Sequence, residues 1–202
     1  MSKLNVDQKA IIDLLSDKKA DFLIPDYQRP YAWSEEQCQT LWDDIFLFSF
    51  PDNNYEAFDD NEEYFLGSIV TYKNENGKSE VIDGQQRLTT LMLILRAFYD
   101  KFESMKDKNS ILTRDRIEKC IWKTDTFGTA DKNTLKIDSE VATDNDKDEF
   151  LELLRTGVVK KGSKSQYVLN YQFFQKKIDE FLQEFPSFFP YLPARILSNC
   201  IL

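Results

Sequence analysis

An α+β chain is predicted, with a small mixed sheet and its helices over residues 1–105 and a mainly helical segment over 106–202. Three observations carry this expectation. Tyr64 to Tyr72 is dense in β-branched and aromatic residues, and Glu80-Val81-Ile82 follows an Asn-Glu-Asn-Gly turn within Lys73 to Lys78, the pattern of a β-hairpin. Directly after it, Leu88, Leu91, Met92, Leu95 and then Phe98 or Tyr99 recur at helical spacing. Beyond residue 105, stretches rich in charge, Asn and Thr (106–116 and 123–148) alternate with amphipathic patterns.

Asn5 or Asp7 is placed to cap a first helix that carries Ile11, Ile12, Leu14 and Leu15 on one side. Phe22-Leu23-Ile24 reads as a short strand stopped by Pro25. Ser34 with Gln37 forms a capping box ahead of a helix whose Cys38, Leu41, Trp42, Ile45 and Phe46 face inward. Residues 51–63 are acidic and polar, a solvated loop. The helix behind the hairpin should run to about residue 104. Ile111 to Trp122 reads as a helix and Thr134 to Ile137 as a short strand or extended link. Asp146 to Leu154 and Ser165 to Phe185 read as amphipathic helices. Pro186, Pro190 and Pro193 punctuate the tail, which stops mid-pattern on Ile201-Leu202, so the natural chain is expected to continue.

Composition sets the function classes. Of 202 residues, 42% are hydrophobic and 16 are Phe, enough for a core, and Gly and Pro number only 6 each. A formal charge of −9 argues against a broad basic face for non-specific nucleic-acid binding, although one local basic site remains compatible with it. Histidine is absent, which excludes Ser-His-Asp and Cys-His centres, an HNH nuclease and any His-bound metal in this chain. Cys38, Cys120 and Cys200 lack zinc or disulfide spacing and read as thiols of a reducing compartment. The start carries no apolar signal core, and the aliphatic run Leu91 to Leu95 is far too short to cross a bilayer. A cytoplasmic location and no membrane partner are expected.

Asp83-Gly84-Gln85-Gln86-Arg87 sits at a strand-to-helix junction. Gly84 permits a tight turn and close approach of a ligand. The helix that follows leaves unpaired amides and a partial positive charge at its start, a natural place for an anion. Arg87 adds a planar fork for phosphate oxygens. Asp83 is a candidate for holding a metal ion or a water, and Gln85 and Gln86 for orienting a water or contacting ribose or base. A plainer reading also stands, with Asp83 an N-cap and Arg87 a surface residue. Thr89 and Thr90, in the first helical turn, are placed to meet a phosphate or to face elsewhere.

The loop Ile24 to Trp33 packs Tyr27, Gln28, Arg29, Tyr31 and Trp33 between two prolines, a composition suited to stacking on bases and gripping phosphate, or to plugging the loop into the core. Gly67, inside the Tyr64 to Val70 run, marks either a bulge or close approach of a ligand, with Ser68 a modest phosphate donor.

Three blocks, in this order and spacing, carry a resemblance. They are Ile24-Pro-x-Tyr27-Gln28-Arg29-x-Tyr31-x-Trp33, Tyr64-Phe65-Leu66-Gly67-Ser68-Ile69, and Val81-Ile82-Asp83-Gly84-Gln85-Gln86-Arg87-Leu88-Thr89-Thr90. They resemble the N-terminal domain family of GmrSD-type DNA-restriction proteins. Asp146-x-x-x-Phe150 and Asn170-Tyr171-x-x-Phe174 resemble the family's helical continuation. The resemblance spans most of the chain. It implies a core similar to the ParB/sulfiredoxin superfamily, which binds nucleotides at the strand-to-helix motif. Family members are often the nucleoside-triphosphate-hydrolysing part of prokaryotic systems that restrict modified phage DNA. Their nuclease, commonly of HNH type, usually lies in a C-terminal domain, and a chain without histidine lacks it.

On this resemblance Asp83, Gln85, Gln86 and Arg87 are the expected nucleotide or metal contacts and catalytic residues, with Mg²⁺ on Asp83. Gln28 and Arg29 are their expected neighbours, and Gly84, Gly67, Ser68, Thr89 and Thr90 complete the nucleotide site. Tyr27, Tyr31 and Trp33 are the expected stacking residues for base or DNA. The implied partners are a nucleoside triphosphate, a C-terminal nuclease domain or partner subunit, and DNA through the full-length protein. Two other functions stand beside this one: a DNA-recognition module without turnover, and, ranked last for want of histidine and clustered carboxylates, a nuclease using the same motif.

Overall fold

The computed structural model describes residues 6–202, so Asn5 lies outside the described residues. The first helix, α1 (Ile11–Ser16), is preceded by Ala10 at the cap position and has no side-chain cap. Asp7 does not cap it and instead pairs with Lys9 at 3.4 Å. The reason is long-range. Lys9 exchanges backbone hydrogen bonds with Leu202, and Ala10 bridges Ile201, so this stretch is extended backbone.

The strand β1 (Phe22–Ile24) is buried along its whole length. It runs parallel to β4 (Ser79–Asp83) on one side and to β7 (Ile137–Ser139) on the other, while β3 (Val70–Lys73) pairs antiparallel with β4. The sheet order is β3-β4-β1-β7. A central strand with parallel neighbours buries both faces, which explains the uninterrupted Phe-Leu-Ile run. β7 comes from beyond residue 105, so the sheet crosses the expected boundary between core and extension.

The hairpin forms over residues 70–83. Its turn is closed by Asn74, whose side-chain carbonyl accepts from the amides of Asn76 and Lys78. Tyr64–Phe65 is not part of it. This strand, β2, pairs in parallel with β8 (Cys200–Ile201), and the Leu66 amide donates to the Ile201 carbonyl at 2.9 Å. Gly67 at φ +111 separates the two strands.

The helix α2 (Glu35–Ser49) starts on the expected capping box, with Gln37 N donating to Ser34 Oγ and Ser34 N donating to Gln37 Oε1. Cys38, Leu41, Trp42 and Ile45 are buried, and Phe46 lies at the core's edge. Two short 3₁₀ turns, Pro51–Asn53 and Tyr55–Ala57, punctuate the acidic loop. The central element is α3 (Gln85–Phe102), which is buried almost all round and packs on α4 (Lys108–Ile121) and α6 (Gln166–Glu184).

α4 begins three residues ahead of the expected Ile111, because Asp107 caps it by accepting from the Ser110 amide. The polar hairpin of β5 (Trp122–Thr124) and β6 (Ala130–Leu135) is built on Asp125, which accepts from the Phe127 and Thr129 amides. The expected strand around Thr134 to Ile137 is split at Lys136. That side chain is fully buried and donates to the Asp17 carbonyl, and burial pushes its pKa down. α5 (Lys147–Thr156) and α6 fall where the amphipathic patterns put them. The tail holds a further helix, α7 (Tyr191–Asn199). Pro190 precedes it and Pro193 lies in its first turn, where a missing amide breaks no helical bond.

The three cysteines are free and buried, and burial pushes their thiols up, Cys38 to about 11 and Cys120 and Cys200 to about 12. The thiolate is the reactive form. The folded chain should therefore react with Ellman's reagent at pH 8 far more slowly than the denaturant-unfolded chain, which should release three equivalents at once. Rapid labelling of any one thiol in the native state would contradict this packing. Among the described residues, no helix is long and apolar enough to cross a membrane.

Candidate functional site

The end of β4 and the start of α3 meet at Asp83-Gly84. Gly84 is left-handed, at φ 85 and ψ 7, and occupies the helix N-cap position without a side-chain cap. A Cβ there would lie 2.8 Å from the Ser68 carbonyl oxygen, so only glycine lets this turn pack on the β2–β3 link. Asp83 does not cap the helix as the plainer reading held. Its Oδ1 accepts from the adjacent Gly84 amide at 2.8 Å. Among the described residues no side chain caps the first amides of α3, which add a partial positive charge.

The loop after β1 is laced to this junction. Gln28 Nε2 donates to the carbonyls of Val81 and Ile82 at 3.2 and 2.9 Å. In return Gln85 Nε2 donates to the Arg29 carbonyl at 3.0 Å, and Gln86 Nε2 donates to the Pro30 carbonyl at 3.1 Å. Gln86 Oε1 also accepts from the Ala32 amide at 2.8 Å. Both glutamines of the motif are buried. Their amides clamp the loop, and both ends of the Gln86 amide are engaged by backbone, with one N–H and one lone pair left over.

Arg87 turns toward the β2–β3 link. Its Nη1 donates to the Ser68 carbonyl at 3.1 Å, and its guanidinium lies flat against Gly67, where a Cβ would come within 2.7 Å of Cζ. The position of the guanidinium therefore depends on a bare glycine beneath it. No carboxylate pairs with Arg87 or with the exposed Arg29 among the described residues.

These groups surround a cleft of about 770 Å³, lined by Gln28, Arg29, Trp33, Phe65, Gly67, Ser68 and the run Asp83 to Arg87. That volume falls in the range of small-molecule sites. Of the expected site residues, Gln28, Arg29, Gly67, Ser68, Trp33 and the whole five-residue motif come together here.

Four do not, three of them for a common reason. Tyr31 is buried, stacked on Tyr167 with ring centroids 4.8 Å apart, and its hydroxyl bonds Thr90 Oγ1 at 2.7 Å and accepts from Asn170 Nδ2 at 2.9 Å. Burial drives its phenol far above the ordinary range. Thr90 donates to the Gln86 carbonyl, and Thr89 is buried too. All three lie beneath the cleft in the core, so neither base stacking by Tyr31 nor phosphate contact by the threonines fits. Tyr27 is 64% exposed and outside the lining. Two residues of the site escaped the sequence reading. Phe65 stands in the cleft wall, and Asn170 of α6 also donates to the Trp33 carbonyl at 2.8 Å, pinning the loop from behind. The sequence signals for Phe65 were its alternation with Tyr64 and Leu66 and its place in the block that ends at Ile69.

Asp83 is the one carboxylate among the lining residues. Among the described residues no group of three acidic or sulfur side chains could cage a metal. The donor set fits a magnesium ion arriving with phosphate oxygens and its own waters, as is usual for that ion, not a cage made by protein alone.

An α+β domain here gathers two guanidinium groups that have no carboxylate partner among the described residues, and an uncapped helix start, around one cleft. Over residues 11–200 the sequence matches the model of the GmrSD restriction endonuclease N-terminal domain, and the chain belongs to that family. Membership makes it a module of restriction-type defence proteins. No curated protein matches the sequence.

Proposed function

We propose that the cleft binds a nucleoside triphosphate and hydrolyses it, and that turnover controls a nuclease domain or subunit outside this chain. The observation that carries this reading is the pair of guanidinium groups, Arg29 and Arg87, that have no carboxylate partner among the described residues, beside the bare start of α3 in a chain of charge −9. In an acidic protein two such cations in one cleft attract a strongly anionic ligand.

Arg87, braced by Ser68 and Gly67, grips phosphate oxygens with its remaining donors. Arg29 approaches from the opposite loop, held at its backbone by Gln85. Asp83 would hold the magnesium ion, which supplies charge neutralisation on the phosphates. Alternatively, Asp83 would polarise the attacking water. Positioning and electrostatics dominate phosphoryl transfer, so a rigid cradle of this kind suits the reaction. DNA would be engaged by the full-length protein in the cytoplasm. A DNA-recognition role for this loop itself is disfavoured by the burial of Tyr31.

The test is a thermal-shift screen with ATP, GTP, CTP and UTP, each with and without Mg²⁺, on the wild type and Arg87→Ala. A ligand at a hundred times its Kd stabilises by about 2.7 kcal/mol, which for a chain of this size raises Tm by about 5–10 °C. The wild type should show a shift of that kind with at least one nucleotide, and Arg87→Ala should lose it while melting cooperatively. Equal shifts in both proteins, or none in either, would remove the proposal.

A further inference from the structure

We propose that Phe65 is the platform on which the nucleobase stacks, so that the cleft takes a nucleotide by the face of its base at one end and by its phosphates at the other. The inference rests on the reading of the cleft as a nucleotide site and adds the residue that holds the base.

Phe65 is 61% exposed, although both its neighbours, Tyr64 and Leu66, pack against the core. Strand alternation sends its side chain to the other face, into a wall that is otherwise polar apart from Trp33. Trp33 is partly packed on the core, so Phe65 offers the freer ring. The platform is rigid. Phe65 pairs with Ile201 in β2–β8, and the next amide donates to the Ile201 carbonyl.

The spacing also fits. Phe65 lies two residues, at most about 7 Å of extended chain, from Gly67, the glycine under the Arg87 guanidinium. A sugar unit separates base from phosphates in a nucleotide over a comparable span. A base stacked on this exposed ring would take apolar surface of both out of water. Stacking on a face is tolerant of base identity, because every base has one. Phe65 should therefore contribute to the affinity of all four nucleotides, and contribute nothing to a ligand that has phosphates but no base.

Isothermal titration of the wild type, Phe65→Ala and Phe65→Trp with each nucleoside triphosphate and with inorganic tripolyphosphate tests this. Phe65→Ala should weaken every nucleotide by about tenfold or more and leave tripolyphosphate unchanged, and Phe65→Trp should restore nucleotide binding. An equal loss for tripolyphosphate would mean that Phe65 shapes the cleft and holds no base. No loss at all, or wild-type nucleotides binding no tighter than tripolyphosphate, would overturn the platform and leave the phosphate cleft standing. A wild type that binds neither class of ligand would remove the nucleotide reading and the platform with it.

Discussion

Arg96→Ala is expected to destabilise the fold by about 3–5 kcal/mol, the cost of leaving a buried charge unpaired. Arg96 is 3% exposed within α3 and forms an ion pair with Asp100 one turn along. Its Nε donates to the Leu153 carbonyl at 3.4 Å, tying α3 to α5. Its guanidinium also lies 5.1 Å from the Tyr99 ring centroid and 5.3 Å from that of Trp122. Asp100 in turn accepts from the Tyr171 hydroxyl of α6, and burial already pushes its carboxyl pKa up. Removing the arginine leaves that carboxylate without its cation and opens a gap among aromatic rings. Urea and thermal melts should show the loss, with Tm lower by about 10 °C or more. Arg96→Met combined with Asp100→Asn should recover part of it, because the stranded charge is then gone as well. A change under about 1 kcal/mol in the single variant would show that this network contributes little, against the general cost of an uncompensated buried charge.

Gly84→Ala should strike stability and the cleft together. The left-handed conformation costs a residue with a Cβ about 1–2 kcal/mol. The new methyl would also meet the Ser68 carbonyl at 2.8 Å and the Ile69 Cα at 3.1 Å, both backbone atoms that cannot swing aside. Overpacking of that kind adds about 1–3 kcal/mol. The total expected loss is about 2–5 kcal/mol. Relief requires β3 and the β2–β3 link to move away, which takes Ser68 from under Arg87. Nucleotide binding should therefore fall even at temperatures where the variant is fully folded. A variant with wild-type melting and wild-type affinity would mean that the turn has slack the geometry denies.

The local features were legible in the sequence because local chemistry decides them. Ser34 and Gln37 announce a helix start at three residues' separation, Asn74 and Gly77 announce a turn, and the Leu/Met stripe announces α3. The motif's place at a strand-to-helix junction follows from the same kind of signal. Tyr64–Phe65 was assigned to the wrong partner because its true one, Cys200–Ile201, lies far along the chain and two residues carry no pairing code. Asp7 lost its helix to the same long-range pairing. Tyr31, Thr89 and Thr90 have the composition of a recognition site, yet all three are buried and the Tyr31 and Thr90 hydroxyls are absorbed by a set that includes Asn170. Whether a polar side chain serves a ligand or the interior depends on what packs above it, and here that is α6. The two glutamines were read as groups for a ligand because a free amide and an engaged one look alike in sequence. The burial of Lys136 was not legible: a lysine inside a strand pattern predicts solvent, and the Asp17 carbonyl that accepts from it lies far along the chain.

The pairing of β2 with β8 has a consequence in time. A ribosome releases the polar side of the cleft, from Gln28 to Arg87, well before it releases Cys200 and Ile201. Synthesis proceeds at about 5–20 residues per second, so the interval is on the order of ten seconds. Through that interval the strand bearing Phe65 has no partner, and β1 has no neighbour on its β7 side until residue 139 is made. Long-range pairings of this kind are also slow to form once their partners exist. The nascent chain thus carries its phosphate-gripping residues early but holds no finished pocket until residue 201 has emerged, which separates the making of the polypeptide from the onset of whatever its cleft does.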